Sequence, residues 1–140
     1  MYKKILVPYD FGNSFTNVPD QLSKLTDASE DYEIVIFNVI TEAEQADTEK
    51  YLGASFSDIE QDKINDMKPF TSQLEELGLN YTTRFKTGRV IHELLEEIND
   101  NDYDLVLMSN RRSKRDIKHV LGHVTHKIAK RVNKPVMVVK

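Results

Sequence analysis

The sequence predicts a single α/β domain in which an open parallel sheet carries helices on both faces, and three observations lead there. Four short runs are almost continuously apolar and rich in β-branched residues, the pattern of strands covered on both sides. Amphipathic stretches at helical spacing alternate with those runs. The chain has 140 residues, enough for one core and too few for two full domains, so residues 1–140 are read as one unit.

The elements follow in order. Lys4 to Tyr9 (KILVPY) is the first strand, and Tyr32 to Ile40 (YEIVIFNVI) the second. Between them Phe15, Val18, Leu22 and Leu25 recur at helical spacing, with Asn17 as the cap and Pro19 fixing the start. Residues 41–57 show no period and read as a mobile acidic excursion. Ile59, Ile64, Met67, Phe70, Leu74 and Leu77 form a second helical stripe, kinked at Pro69 and closed by Gly78. Asn80 to Lys86 (NYTTRFK) alternates Tyr81, Thr83 and Phe85 with polar residues, as a protected edge strand does. A third helix carries Val90, Ile91, Leu94, Leu95 and Ile98, and Asp104 to Met108 (DLVLM) is the fourth buried run. Val120, Leu121, Val124, Ile128 and Val132 mark the last helix, and Pro135 to Val139 (PVMVV) the last strand.

Strands that alternate with helices build right-handed βαβ units, and ligands of such sheets collect at the carboxyl ends of the strands, where strand order reverses beside the first. Residues 8–14, 39–42, 88–90 and those from 108 onward are therefore the ones to inspect. The last strand poses a separate problem. It is apolar on both faces until Lys140, and Pro135 protects only its first position, so an open edge there would invite pairing. A two-fold partner offering the same strand antiparallel closes it, which predicts a homodimer through Val136, Met137, Val138 and Val139.

Composition removes several classes of function. The chain has no cysteine, which excludes disulfides, thiolate metal sites and a cysteine nucleophile. No apolar stretch approaches the roughly 20 residues of a membrane span, and the start is too quickly polar for a secretory signal. A cytoplasmic protein without membrane contact is expected. The net charge of −4 conceals an asymmetry: residues 1–108 hold 22 of the 23 acids, while residues 109–140 hold 10 of the 19 lysines and arginines. That basic end suits phosphates, nucleic acid or an acidic partner.

Its densest part is Arg111, Arg112, Lys114, Arg115 and Lys118, which reads as a solvated loop or as an anion-binding cap over the crevice. Nucleic acid is disfavoured, because no aromatic residue interleaves the charges and the pI of about 5.6 is acidic. His119, His123 and His126 lie opposite the apolar stripe and read as solvated, as does His92. Asp100, Asp102 and Asp104 have the spacing that opens a calcium loop but lack its glycine and closing glutamate, leaving a polar turn before a strand. No G-x-S-x-G, H-E-x-x-H or Walker lysine motif occurs. Asp10, just past the first strand, reads as an anchor for the following turn or for a ligand's donors, and an enzyme is not expected.

The opening YKKILVPYDF, the DLVLM strand, the helix entry Leu121-Gly122-His123-Val124 and the ending NKPVMVVK follow one another across the whole chain. In that order they resemble the universal stress protein family. The resemblance implies a five-stranded, doubly wound, Rossmann-like fold of strand order 3-2-1-4-5, usually dimeric through the last strand and associated with survival under stress. Nucleotide-binding members carry a glycine, two residues, a second glycine, nine residues, then glycine with Ser or Thr, so that backbone N–H groups and a helix N-terminus surround the phosphates. Those positions are Ser109, Arg112, Gly122 and His123 in this chain. Two of the three glycines and the hydroxyl are replaced. The adenosine side matches better: Pro8 and Asp10 stand at the adenine and ribose contacts, Val39 lines the base, Met108 and Arg111 lie across the pocket, and Val124 follows at the helix entry.

A glycine beside a phosphate lets the anion reach the backbone and permits positive φ, and Arg112 supplies neither. The first expectation is thus a stress-response binding protein, with a protein partner the sequence does not name, whose ATP site is weakened or lost. Guanidinium and imidazole also bind phosphate, so the second is an ATP-binding member using Arg111, Arg112 and His123. The third is an anion-binding or nucleic-acid-binding module working through residues 111–118. ATP is the one cofactor these readings allow, and no metal is expected.

Overall fold

The computed structural model describes residues 2–26, 31–46, 56–109, 111–112 and 121–140, with the backbone alone at 111–112 and 121–123. Its elements are β1 (Lys4–Pro8), β2 (Asn13–Ser14), α1 (Val18–Leu25), β3 (Glu33–Ile40), α2 (Phe56–Glu76), β4 (Tyr81–Thr87), α3 (Val90–Asp100), β5 (Leu105–Ser109), β6 (Arg111–Arg112), α4 (Leu121–Arg131) and β7 (Val136–Val139). Five strands form one parallel sheet in the order β4-β3-β1-β5-β7, which is 3-2-1-4-5 when these five are counted alone. β1 lies at the centre, with Ile5 beside Ile34 of β3 and beside Leu105 of β5.

Strand alternation sorts the core into two layers. Ile5, Val7, Ile34, Ile36, Leu105 and Leu107 meet α1 and α2 through Val18, Leu22, Met67, Phe70 and Leu74. Leu6, Val35, Phe37 and Val106 face the other way, onto Leu94 and Ile98 of α3 and Ile128 and Val132 beside α4. The start of β1 is pinned from β5's side: one Asp104 carboxylate oxygen accepts the Lys3 and Lys4 N–H groups, each at 3.0 Å. Asp104 therefore does more than fill a polar turn.

Several local expectations are corrected. Asn17 does sit at the N-cap of α1, with proline in the first turn, but its side chain makes no cap bond. Its amide donates instead to the Lys140 carbonyl at 2.7 Å. α2 is one helix of 21 residues that runs through Pro69. Leu77 is not part of its buried stripe, because the helix ends beneath it. There Gly78 takes φ 70°, its N–H reaches Glu75 O, and the Leu79 N–H reaches Leu74 O, a Schellman closure that tucks Leu79 into the core. The region after β3 is also less irregular than expected. Thr41 and Glu44 make a reciprocal capping box, Thr41 N–H to Glu44 Oε2 at 2.9 Å and Glu44 N–H to Thr41 Oγ1 at 3.1 Å, which opens a helical turn over 42–46. Residues 47–55 lie outside the described residues. The two-residue strands β2 and β6 pair antiparallel in a small ribbon that no sequence pattern announced.

Candidate functional site

The site exists because β1 stops early. Its last rung is the Tyr9 N–H to Phe37 O bond at 2.7 Å, while β3 continues beside β4 as far as Ile40. In a parallel strand, alternate residues turn their backbone groups to opposite neighbours. Phe37 points to β1, and Ile40, whose carbonyl accepts from the Gly88 N–H at 3.0 Å, points to β4. Val39 therefore directs both its N–H and its C=O to the side that β1 has vacated. A cleft of about 530 Å³ opens there, at the carboxyl ends of β1, β3 and β5.

Pro8, Val39 and Met108 give the cleft apolar walls, extended by Val90 and Leu94 of α3 and Val124 of α4. Its polar groups are braced by backbone. Asp10 Oδ1 accepts the Gly12 N–H at 2.8 Å, closing the turn after β1. Asn38, buried within β3, donates Nδ2 to Tyr9 O at 2.8 Å, replacing the rung that β1 no longer supplies. Asn13 Nδ2 donates to Ser109 O at 3.2 Å, and the Ser109 hydroxyl donates to Ser14 O. Each of these carbonyls fixes the orientation of the amide that serves it. The oxygens of Asn13 and Asn38 are left buried with no hydrogen-bond partner among the described residues.

A charged rim lies beyond. Lys63 of α2 stands 3.1 Å from Glu44 Oε1 and 4.8 Å above the Phe11 ring. Burial alone would raise the Glu44 carboxyl, but the Thr41 amide, the Lys63 ammonium and the Thr41 hydroxyl outweigh it and hold its pKa below the ordinary value. Tyr9 stacks on Phe15 at 4.4 Å and meets Phe11 and Phe70 edgewise or tilted. Burial, with the nearby Asp10 and Asp66 carboxylates, raises its hydroxyl pKa, so Tyr9 stays protonated across the physiological range.

The structure brings Pro8, Asp10, Val39, Met108, Ser109 and Val124 together around the one cleft. Arg111 and Arg112 form β6, with backbone opposite Ser14 and Asn13, and Gly122 and His123 lie in the first turn of α4. The side chains of those four, together with Lys114, Arg115, Lys118, His119 and Val120, lie outside the described residues. Asn13 and Thr41 fall within the spans marked for inspection without being singled out, and Asn38, Glu44 and Lys63 were missed. Three of the five carried a signal: Asn38 is a polar residue inside the apolar run IVIFNVI, and Thr41 with Glu44 has the Thr-x-x-Glu spacing of a cap. His126 is exposed. His92, Glu93 and Glu96 approach within 4.8 Å at the surface of α3, an arrangement common among exposed charged side chains without an ion. Among the described residues no helix is long and apolar enough to cross a membrane.

Comparison with known proteins agrees with this architecture. The model of the universal stress protein family matches residues 1–140. Universal stress protein MJ0577 of Methanocaldococcus jannaschii is 26% identical over 157 residues, an alignment covering 100% of this chain and 96% of that protein. The solved structure of MJ0577 superposes with a TM-score of 0.77, again at 26% identity and with 100% and 96% of the two chains covered. An Arabidopsis thaliana protein of the family, solved with AMP bound, shares the fold at a TM-score of 0.60 and 19% identity, covering 99% of this chain and 91% of its own. The universal stress protein from Archaeoglobus fulgidus in complex with dAMP does so at 0.62 and 13%, with 99% and 98% covered.

Proposed function

This chain belongs to the universal stress protein family, and we propose that its cleft binds an adenine nucleotide, with a phosphate end altered so that ATP is held weakly or not at all. The observation that carries the reading is the Val39 backbone. Its N–H and C=O face the cleft as a donor beside an acceptor, between the apolar walls of Pro8 and Met108. Adenine offers the matching edge, a ring nitrogen that accepts and an amino group that donates. The Asp10 carboxylate keeps acceptor capacity for ribose hydroxyls while Gly12 holds it in place. That two proteins of the same fold hold AMP and dAMP supports an adenine ligand.

To the phosphate end we assign Ser109, Arg111, Arg112, Gly122, His123 and Val124, the last three of them at the start of α4, where helix N–H groups favour an anion. Arg112 carries a Cβ where the family's nucleotide binders have glycine. The protein then acts by binding in the cytoplasm rather than by chemistry, its occupancy read by a protein partner. Its own partner is a second copy joined through Val136, Met137, Val138 and Val139. β7 is the last strand of the sheet, and Val138 is 40% exposed there.

Calorimetric titration of the full chain with AMP tests the ligand. Saturable binding is expected, with a matching rise in melting temperature. No heat and no thermal shift at millimolar AMP would remove the proposal. The rival reading, an ATP site rebuilt from arginine, draws on β6 bringing Arg111 and Arg112 to the polar wall of the cleft. It predicts Mg-ATP binding tighter than AMP, weakened by Arg112→Gly.

A further inference from the structure

Among the described residues that line the cleft, Lys63 is the only lysine or arginine. It comes from within α2, and its side chain is 16% exposed. A lysine so far withdrawn from water needs other acceptors for the three N–H groups of its ammonium. Glu44 Oε1 takes one at 3.1 Å, and the Phe11 ring lies 4.8 Å from the ammonium. Among the described residues no other group accepts from it, so donor capacity is left at the wall of the cleft.

The ammonium is also held in place. Glu44 Oε2 accepts the Thr41 N–H in the capping box while Oε1 faces Lys63, so the exit of β3 sets where the lysine stands. Thr41 follows two residues after Val39, whose N–H and C=O turn to the cleft. Along a strand a residue's C=O lies further toward the C-terminus than its N–H, so the Val39 acceptor is the nearer of the two to Thr41, Glu44 and Lys63.

That order decides which way a purine lies. Adenine must set its amino group at the Val39 C=O and N1 at the N–H, which turns the N7 side of the ring toward Lys63. N7 is an acceptor, and the ammonium has N–H groups to give it. The Glu44 and Asp66 carboxylates line the same side, so the second amino hydrogen meets acceptors there as well as a cation. Guanine accepts at position 6 and donates from N1, so it must lie turned over. Its N7 then points inward, and its 2-amino group, a donor only, faces the ammonium.

Resting on the adenine-nucleotide reading, we propose that Lys63, braced by Glu44, is the specificity-determining residue for the base: it donates to N7 of adenine and thereby selects adenine over guanine.

The test is calorimetric titration of the full chain with AMP, 7-deaza-AMP, in which a C–H replaces N7, and GMP, repeated on Lys63→Met, which keeps an apolar stem and removes the ammonium. Wild type should bind AMP about tenfold more tightly than either analogue, and Lys63→Met should bring AMP and 7-deaza-AMP within about threefold. Equal binding of AMP and either analogue by wild type overturns the role of Lys63 alone, as does an unchanged AMP to 7-deaza-AMP ratio in folded Lys63→Met. Failure of all three ligands to bind wild type overturns the cleft reading and this one with it. If Lys63→Met does not fold, Glu44→Gln loosens the brace and reads the same ratio, with a smaller drop expected and an unchanged ratio counting against Lys63.

Discussion

Two polar clusters lie within this fold, and they are built to opposite ends. Around Glu97, whose side chain is fully buried in the α3 layer, one carboxylate oxygen takes a hydrogen bond and the other faces a cation. The Tyr103 hydroxyl donates to Oε2 at 2.6 Å, and Arg84 Nη2 stands 3.3 Å from Oε1, close enough for an ion pair though angled away from a hydrogen bond. The Lys4 ammonium lies 4.9 Å above the Tyr103 ring. The cluster ties β4, α3 and the approach to β5 into one unit. Around the cleft, Asp10, Asn13, Asn38 and Ser109 instead brace backbone amides and carbonyls, and two amide oxygens have no hydrogen-bond partner among the described residues. Both clusters thus leave buried acceptors without a hydrogen bond among the described residues. The Glu97 oxygen has the Arg84 cation beside it and holds elements together, while those of Asn13 and Asn38 belong to residues that line a cavity, where a ligand can complete the set.

The contrast can be broken experimentally, beginning where the largest effect is expected. Arg84→Ala strands the buried Glu97 carboxylate and should cost about 2 kcal/mol in urea denaturation, the low side for a broken buried pair because the guanidinium is half in water. AMP affinity should not move; if it does, the two clusters are not separate. Tyr103→Phe should cost about 1–2 kcal/mol at neutral pH. Burial first, then the hydrogen bond and charge of Glu97, raise the Tyr103 pKa well above the ordinary tyrosine value. A group whose pKa is higher folded than unfolded contributes fully below the unfolded value and loses that contribution as pH rises through the folded one. Wild type should therefore lose stability above about pH 10, and Tyr103→Phe should lose less over the same range.

Changes at the cleft should show the reverse pattern. Asp10→Asn keeps the oxygen that accepts from Gly12 but removes the charge, so AMP affinity should fall about tenfold while stability changes by less than about 0.5 kcal/mol. A stability loss as large as that of Arg84→Ala would make Asp10 a scaffold residue. Glu44→Gln should have the smallest effect, a few tenths of a kcal/mol at neutral pH, because that carboxylate is about half exposed. With its pKa lowered in the fold, its contribution is present above the ordinary carboxylate value and disappears as pH falls, so wild type and Glu44→Gln should converge in acid. At the far edge of the sheet, Met137→Lys should shift sedimentation from dimer toward monomer, and an unchanged profile would remove β7 as the interface.

The sheet was readable because four of its strands are short apolar runs whose burial leaves a continuous trace, and Val18, Leu22, Leu94 and Ile98 followed from helical spacing, whereas Val90, assigned to the same stripe of α3, is exposed at the helix start. What escaped was structure too short or too polar for periodicity to register. The ribbon of Asn13–Ser14 with Arg111–Arg112 has two residues per strand, and no alternation can be seen in two residues. Glu97 follows Leu94 by three positions and so belongs to the inward face of α3, yet a carboxylate is not expected inside until its partners from β4 and the β5 approach are in place. Leu77 was assigned to the core by spacing, although the Gly78 closure ends α2 before that position can be covered. At the site, Pro8, Asp10, Val39 and Met108 were legible from strand ends, whereas Asn38 and Lys63 depend on which elements the fold brings together.

Asn38 also acts as a check on strand alignment. Sliding β1 by one residue against β3 would turn every core side chain of β1 to the wrong layer, and a purely apolar pair of strands resists this only through packing. Here the slip would also separate the Asn38 amide from the Tyr9 carbonyl and leave both without partners in the interior. The same bond that allows β1 to end early thus penalises the misaligned sheet, so a chain that folds in any other register forms neither a stable core nor a cleft.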